Sequence, residues 1–393
     1  MDLTEKSPAA DVPTPPAAEP APDAKPATHD TPPPKALLDL MITGWRPDST
    51  EMPAPIEHHE AFHVRRRALS RLFPGELLIV PTGHEKVRSN DTHFRFRPSS
   101  DFYYLTGSHE PDCVLVMVPR KKSGHDAHLF VEPNPGRSDA TFFTDRVKGE
   151  LWVGRGARLG VPQSKARFAV HEASPLAELA ALLEGYKDQG AKPFRVMRGF
   201  AAKVDAALPV QAERDKQLAT TLGEMRLLKD PQEVRELAAA IASTLRGFED
   251  VIRALPGAKN EREVEGIFNL RARVEGNDVG YGTIAASGAH ACTLHYTKNR
   301  GELDRGTLLL LDAGVEGESL YTADITRTLP IGGTFSKAQR AIYELVFAAQ
   351  EAAFLEVVPG KDFMDPNKAA MKVLAHGLSK LGILSTSAEV ALA

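Results

Sequence analysis

The sequence predicts an α/β protein in which two domains follow a disordered N-terminal tail. Short runs of β-branched and aromatic residues alternate with amphipathic helical patterns along most of the chain. A length of 393 residues favours two or three domains, at about 150 residues each. Hydrophobic residues make up 42% and charged residues 25%, which provides enough apolar material for two cores.

The tail is expected over residues 1–35, which hold ten of the 29 prolines together with alanine and acidic residues. Such a segment buries too little apolar surface to offset the entropy lost on ordering. The first domain is expected over residues 36–220. Its strand-like runs are LLIV at 77–80, FYYLTG at 102–107, VLVMV at 114–118 and HLFV at 128–131.

The second domain is expected over residues 221–393. Asp230, Pro231 and Glu233 supply an N-cap, a proline at the first helical position and an acidic first turn. Apolar residues then recur at helical spacing, which predicts a long helix with one buried face. These residues are Val234, Leu237, Ile241, Leu245, Phe248 and Ile252.

Two further elements of this domain are relevant to function. Asn260 and Glu263 repeat the helix-start signal and predict a second helix. The run TLLLLDAG at 307–314 is continuously aliphatic before its aspartate, which favours a strand covered on both faces.

Charge and hydropathy disfavour several kinds of partner. The net charge of -4 shows no basic excess for nucleic acid, and we interpret the run Arg65, Arg66 and Arg67 as a solvated helix face. No signal-peptide pattern and no apolar stretch of about 20 residues is present, so we expect no membrane partner. Cys113 lies in an apolar run, where a buried free thiol is expected, and this favours a cytoplasmic protein.

Two aspartates provide a candidate metal site. Asp312 ends the aliphatic run, and the residues up to Asp324 can fold back as a hairpin that brings the two together. Neighbouring carboxylates repel, so one of them takes up a proton or a cation lies between them. Oxygen ligands suit manganese, cobalt, magnesium or zinc. The alternative is a structural ion pair of Asp324 with Arg327 or another base, with Asp312 capping a turn.

The string LHYTKNRGELDRGTLLLLDAGVEGESLYTADITRTLP at 294–330 resembles the metal-binding hairpin of the family that contains aminopeptidase P, prolidase, methionine aminopeptidase and creatinase. The resemblance continues through DPQEVRELAAAIASTLRGFEDVI at 230–252 and SKAQRAIYELVFAAQEAAFLEVVPGKDF at 336–363. Upstream, RFRPSSDFYYLTGSHEPDCVLVMV at 95–118 resembles the N-terminal domain of aminopeptidase P and prolidase. The resemblance implies an α/β N-terminal domain of the creatinase/aminopeptidase P type followed by a pita-bread catalytic domain.

The resemblance also implies roles for four residues. Asp312 would bind one metal through both carboxylate oxygens, and Asp324 would bridge two metals whose shared hydroxide is the nucleophile. His295 would contact the substrate at the scissile bond, and Tyr281 would lie near the metal-side pocket. Two divalent ions are implied, with Mn2+ expected and Co2+ or Zn2+ as alternatives. A strand-edge histidine and a core tyrosine are the structural alternatives for His295 and Tyr281.

The family site needs three further ligands, a histidine and two glutamates, which we do not find after the hairpin. His376 could match the histidine, but it also fits the surface of a predicted helix. We therefore expect a pita-bread domain that lacks its C-terminal part, as in a truncated gene product. Two carboxylates alone should bind a divalent ion weakly, so we expect little or no activity.

The function implied is that of a metal-dependent aminopeptidase that removes an N-terminal residue preceding proline. The expected partner is a peptide with proline in second position, and family members commonly form homo-oligomers. One alternative is prolidase, which cleaves Xaa-Pro dipeptides. Another is a non-catalytic protein that keeps the fold to bind a peptide or a partner.

Overall fold

The computed structural model describes residues 33–46, 51–90, 92–154, 158–188 and 193–393. The predicted disordered tail lies outside the described residues over positions 1–32. Contacts divide the chain into two compact units. Of the described residues, those within 33–56, Phe73–Ser99 and Ser108–Gln211 form the first unit, and those within Glu57–Leu72, Ser100–Gly107 and Ala212–Ala393 form the second. The division into domains near residue 220 stays a prediction.

The structure contains helices and strands in both units. The helices are α1 (Lys35–Met41), α2 (His59–Leu72), α3 (Ser100–Thr106), α4 (Thr141–Thr144), α5 (Glu150–Val153), α6 (Val161–Arg167), α7 (Leu179–Asp188), α8 (Ala202–Ala207), α9 (Ala212–Leu227), α10 (Pro231–Ala254), α11 (Glu261–Glu275), α12 (Lys337–Phe354), α13 (Asp365–Lys380) and α14 (Ala388–Leu392). The strands are β1 (Leu77–Pro81), β2 (Val87–Ser89), β3 (Thr92–His93), β4 (Val114–Pro119), β5 (His125–Val131), β6 (Glu172–Pro175), β7 (Phe194–Val196), β8 (Asp278–Val279), β9 (Ile284–Ser287), β10 (Leu308–Ala313), β11 (Val315–Glu316) and β12 (Ile325–Pro330). Short 3-10 helices lie at Leu176–Glu178 and Gly288–Cys292. Every helix in the described parts is too short or too polar to span a bilayer.

The first unit is built on a sheet with strand order β6-β5-β4-β1-β7. Strands β1, β4 and β5 pair antiparallel, and β6 and β7 add parallel edges. Strands β1, β4 and β5 confirm three of the predicted runs. The predicted strand at 102–107 is wrong, because this segment forms α3, which packs on α2 in the second unit. Tertiary packing here overrides the strand propensity of its aromatic residues.

In the second unit, α10 and α11 cover one face of an antiparallel sheet with strand order β12-β10-β9. The predicted helix starts are confirmed. Asp230 and Glu233 form a reciprocal capping box, and the Asn260 side chain caps α11. The core between helices and sheet includes Phe248, Val251, Val264, Phe268, Leu309 and Leu311.

The buried face of α10 differs from the predicted one. Val234, Ile241, Leu245 and Ile252 are 44–54% exposed, and of the predicted stripe Phe248 is buried. The buried face consists mainly of small residues: Ala240, Ser243, Thr244 and Gly247, with Phe248 and Val251. This face carries small side chains because α11 packs closely against it. A Cβ at Gly247 would lie only 2.7 Å from the Phe268 ring.

Strand β10 alternates in burial although its sequence does not alternate in polarity. Leu309, Leu311 and Ala313 point into the helix-covered core, while Leu308 and Leu310 are half-buried on the other face. In the described structure the helices therefore cover one face of this strand, and the prediction of cover on both faces is wrong. The half-buried face also carries Asp312.

Candidate metal centre

The hairpin formed by β10 and β12 brings the two predicted aspartates together at the end of the sheet where β10 finishes and β12 begins. Asp312 pairs with Thr326, and Asp324 immediately precedes β12. A Cβ at Gly314 would lie 1.6 Å from the carbonyl oxygen of Ala323, so the chain can approach this closely only at a glycine. Both carboxylates lie on the face away from the helices.

The hairpin is fixed to α10 by a direct hydrogen bond. The Val315 amide donates to the Thr244 hydroxyl oxygen at 2.9 Å, and that hydroxyl donates to the Ala240 carbonyl at 2.8 Å. Both contacts are buried. The small-residue face of α10 therefore does more than admit α11, because it also holds the backbone just after Gly314.

Tyr281 joins the two aspartates. Its hydroxyl lies 2.5 Å from Oδ1 of Asp312 and 2.9 Å from Oδ1 of Asp324. Burial raises the pKa of Tyr281, and the hydrogen bonds to the two carboxylates raise it further, so the phenol stays protonated at neutral pH. With a single proton, it can donate fully to one carboxylate at a time.

The donor set fits a hard divalent cation but does not enclose one. Two carboxylates converge, and within the described chain neither Oδ2 atom accepts a hydrogen bond. The described residues contain no group of three or more His, Cys, Asp or Glu side chains that could hold a metal. The pair therefore offers two oxygen-bearing ligands rather than a complete coordination shell.

The alternative to a metal site, a structural ion pair of Asp324, is absent from the described residues. Arg327 is exposed and donates to the Thr326 carbonyl at 2.7 Å. It lies opposite Leu311, on the face away from Asp312. In the described part of the chain no salt bridge joins Arg327 to Asp324.

His295 lies in the exposed segment between the 3-10 helix at Gly288–Cys292 and β10. No hydrogen bond joins its side chain to Tyr281 or to either aspartate among the described residues. The structure thus brings together three of the four predicted site residues, and the metal-binding and substrate-binding roles of all four stay predictions.

His376 lies on the surface of α13. Its Nδ1 is 2.8 Å from the Lys372 carbonyl one turn back, and its Nε2 is 3.6 Å from a Glu389 carboxylate oxygen. These contacts are typical of a helix-surface histidine, which was the alternative to a metal ligand.

A buried polar network holds the loop between the two aspartates, and sequence reasoning missed it. Tyr321 lies three residues before Asp324, and its hydroxyl donates to Oε1 of Glu233 at 2.7 Å. Glu233 is 1% exposed, and its other oxygen accepts from the Asp230 amide at 2.8 Å. The capping pattern revealed Glu233 as a helix-start residue, but no sequence signal linked it to Tyr321.

Arg65 completes this network, and its interpretation as part of a solvated helix face is wrong. Arg65 is 3% exposed and Arg66 is 2% exposed. Arg65 donates from Nε and Nη2 to Oδ2 of Asp230 at 3.0 and 2.8 Å, and its guanidinium lies 4.6 Å from the Tyr104 ring centroid. The helix cap of α10 is thereby tied to α2 within the second unit.

Comparisons with known proteins agree with this architecture. The model of metallopeptidase family M24 matches residues 232–387, and the model of the aminopeptidase P N-terminal domain matches residues 62–193. Xaa-Pro aminopeptidase 1 of Streptomyces coelicolor is 46% identical over 364 residues, which cover 90% of this chain and 71% of that protein. Xaa-Pro aminopeptidase of Escherichia coli K12 is 31% identical over 348 residues, which cover 83% of this chain and 74% of that protein.

Solved structures of aminopeptidase P show the same fold. The low-pH form of the E. coli enzyme has a TM-score of 0.74 at 29% identity and covers 85% of this chain and 76% of that chain. A zinc-substituted form in complex with product has a TM-score of 0.73 at 29% identity and covers 86% of this chain and 76% of that chain. This chain therefore belongs to the Xaa-Pro aminopeptidases of metallopeptidase family M24, with an aminopeptidase P N-terminal domain and a pita-bread domain that uses divalent metal ions.

Proposed function

We propose that this chain carries part of the catalytic centre of a metal-dependent aminopeptidase that releases the N-terminal residue of peptides with proline in second position. The convergence of Asp312, Asp324 and Tyr281 at the hairpin supports this proposal. The Xaa-Pro activity named for its relatives supports the substrate class.

Asp312 and Asp324 are the proposed metal ligands. Their oxygen donors suit Mn2+ as the native ion, with Co2+ or Zn2+ as alternatives. When bound, the ions supply Lewis-acid activation of a water molecule and of the scissile carbonyl. Tyr281, which remains protonated, holds the two carboxylates close together through its hydroxyl.

His295 is the proposed substrate contact at the scissile bond. A neutral imidazole can donate from one ring nitrogen and accept at the other, so it can assist proton handling next to the peptide. Its exposed position leaves it accessible to a peptide.

The incomplete donor set bears on activity. The described residues supply two carboxylates and no third converging His, Cys, Asp or Glu side chain, and such a pair binds a divalent ion weakly and leaves its geometry unset. We therefore expect weak Mn2+ binding and slow or undetectable turnover by residues 1–393.

The test is alanine release from Ala-Pro-Ala and from the dipeptide Ala-Pro in excess Mn2+. Any release by the wild-type chain should be slow, confined to the tripeptide and absent in Asp324→Asn. Rapid turnover would overturn the proposal of an incomplete ligand set and mean that further ligands come from elsewhere, such as another subunit. Preference for the dipeptide would favour the prolidase alternative.

A non-catalytic binding protein is the second candidate function. The absence of both cleavage and saturable Mn2+ binding would favour it over a peptidase. A cytoplasmic location and homo-oligomer formation are further proposals. The buried free thiol of Cys113 supports the first of these.

A further inference from the structure

We propose that Glu261 is a positioning residue whose buried carboxylate organises residues 287–301, the segment that presents His295. This inference rests on the proposed role of His295. Glu261 is the first residue of α11 and is fully buried at 0% exposure. It makes no contact with the aspartate pair in the described structure, so its role is separate from metal binding.

Four donors from this segment converge on the one carboxylate. Oε1 accepts from the Ser287 amide at 2.7 Å and from Nδ1 of His290 at 2.8 Å. Oε2 accepts from the Gly301 amide at 2.6 Å and from the Tyr296 hydroxyl at 2.9 Å. The carboxylate thus binds both ends of the segment and two side chains between them.

The packing around the carboxylate is equally close. The rings of His290 and Tyr296 stack with centroids 4.5 Å apart and an interplanar angle of 22°. A Cβ at Gly301 would lie 2.7 Å from both Oε1 of Glu261 and Nδ1 of His290. His295 directly precedes Tyr296, so the residue next to it is held through its side chain by the Glu261 carboxylate.

The chemistry of the site requires an ionised acceptor. A carboxylate offers about four lone-pair sites and no proton, which matches four converging donors. Burial by itself would raise the pKa of Glu261, but the hydrogen bonds from Ser287, His290, Gly301 and Tyr296 outweigh it, and the pKa is lowered. Glutamine has nearly the same shape, yet its NH2 group would face two donors and leave them unsatisfied.

The chain contains a natural reporter for this segment. Of its two cysteines, Cys292 is exposed and lies between Ser287 and Gly301, whereas Cys113 is buried. A nitroxide label on Cys292 reports the mobility of the segment by electron paramagnetic resonance. Trypsin cleavage after Lys298 or Arg300 reports its opening independently.

We expect a restricted label in the wild-type chain and a mobile one in Glu261→Gln, with trypsin cleavage about tenfold faster, in line with the loss of buried hydrogen bonds. Glu261→Asp, which keeps the charge, should restore part of the restriction. Glu265→Gln is the matched control, because Glu265 lies one turn further along α11 and makes no hydrogen bond in the described chain. It should behave as wild type.

A folded Glu261→Gln variant with wild-type label mobility and wild-type cleavage rate would overturn the proposal. If circular dichroism shows that Glu261→Gln is already unfolded at the assay temperature, Tyr296→Phe replaces it, because this variant removes a single donor and should loosen the segment by itself. An unchanged label mobility in Tyr296→Phe would also overturn the proposal. Mn2+ binding should be the same in Glu261→Gln and wild type. Loss of the proposed metal site would therefore be distinguishable from failure of this inference.

Discussion

The hydroxyl of Tyr281 is placed where two negative charges would otherwise repel without compensation. It reaches Oδ1 of both Asp312 and Asp324, at 2.5 and 2.9 Å. Hydrogen bonds to charged groups contribute about 1.5–3 kcal/mol each. In the metal-free protein this single phenol therefore contributes to the stability of the hairpin as well as to its geometry.

Tyr281→Phe should lower the free energy of unfolding of the metal-free protein by about 1–2 kcal/mol, because one partly buried charge-assisted donor is lost. Excess Mn2+ should reduce the loss, since a bound cation compensates the same charges. Urea denaturation with and without Mn2+ measures both effects. Tyr343→Phe is the control, because the Tyr343 ring packs on Phe335 and its hydroxyl makes no hydrogen bond among the described residues. Equal destabilisation by the two variants would contradict this account.

At this scale the sequence predicted the aspartates better than their surroundings. Asp312 and Asp324 stand out because an aliphatic run, a glycine and a two-residue alternation place them on one strand pair. The contacts of Tyr281 were not predictable from spacing, since they cross 31 and 43 positions of the chain. The family resemblance placed Tyr281 near the metal side, and the structure supplies its hydrogen bonds.

At the scale of elements, α10 is the helix that holds the hairpin carrying Asp312 and Asp324. Its small-residue face admits α11 at Gly247 and accepts the Val315 amide at Thr244. The spacing of its large apolar residues predicted a different buried face. Periodicity reports where hydrophobic residues recur, and it does not report how closely a neighbouring helix packs. Its capped start, in contrast, was predictable because capping depends on local residues alone.

Two glycine substitutions in neighbouring helices test this packing. Gly247→Ala should destabilise the protein by about 1–3 kcal/mol, because the added methyl overpacks a filled contact. Gly266→Ala, where a Cβ would meet nothing within 4 Å, should stabilise it by about 0.5–1 kcal/mol through helix propensity. Urea denaturation midpoints at constant m-value measure both. A stabilising Gly247→Ala would refute the close approach.

A second test concerns the ion pairs that join α10 and α11. The Glu275 carboxylate accepts hydrogen bonds from Arg246, Ser243 and Arg271. These contacts lower the pKa of Glu275 from 4.5 to about 2, and the hydrogen bond from Arg246 has the largest effect. A carboxyl group whose pKa is lower in the folded state stabilises the fold fully at pH values above its unfolded-state pKa. That stabilisation is lost as pH falls through its folded-state pKa.

Glu275→Gln should therefore be less stable than wild type above pH 4.5, and the difference should shrink as pH falls toward about 2. Urea midpoints at a series of pH values between these limits measure the difference. A gap between the two proteins that stays constant down to the lowest pH would show that the charge of Glu275 is not what joins the helices.

At the scale of the whole molecule, contacts distant in sequence decide what the patterns could not. Arg65 and Asp230 are separated by 165 positions, and Glu233 and Tyr321 by 88. A run of three arginines usually marks a solvated face, but here packing of α2 and α3 in the second unit buries two of them. The α/β class, the main strands and the start of α10 followed from local sequence, whereas this network required the structure.

Arg65→Lys tests the network, with Arg67→Lys as the neighbouring control. Lysine cannot reproduce the two-pronged contact with Asp230 or the stacking on Tyr104, so we expect a loss of about 1–3 kcal/mol in unfolding free energy. Arg67 is exposed, and its replacement should change stability by less than about 0.5 kcal/mol. Thermal unfolding of both variants provides the comparison. Similar melting temperatures would mean that Arg65 acts as an ordinary surface residue.

The central claim is that Asp312 and Asp324 are metal ligands, and Mn2+ titration followed by the electron paramagnetic resonance signal of the free ion tests it most directly. We predict weak but saturable binding by the wild-type chain and loss of that binding in both Asp312→Asn and Asp324→Asn. Asp304→Asn should bind as wild type, because Asp304 accepts from the Gly306 amide in a turn outside the site. Wild-type Mn2+ affinity in Asp312→Asn and Asp324→Asn would contradict the claim.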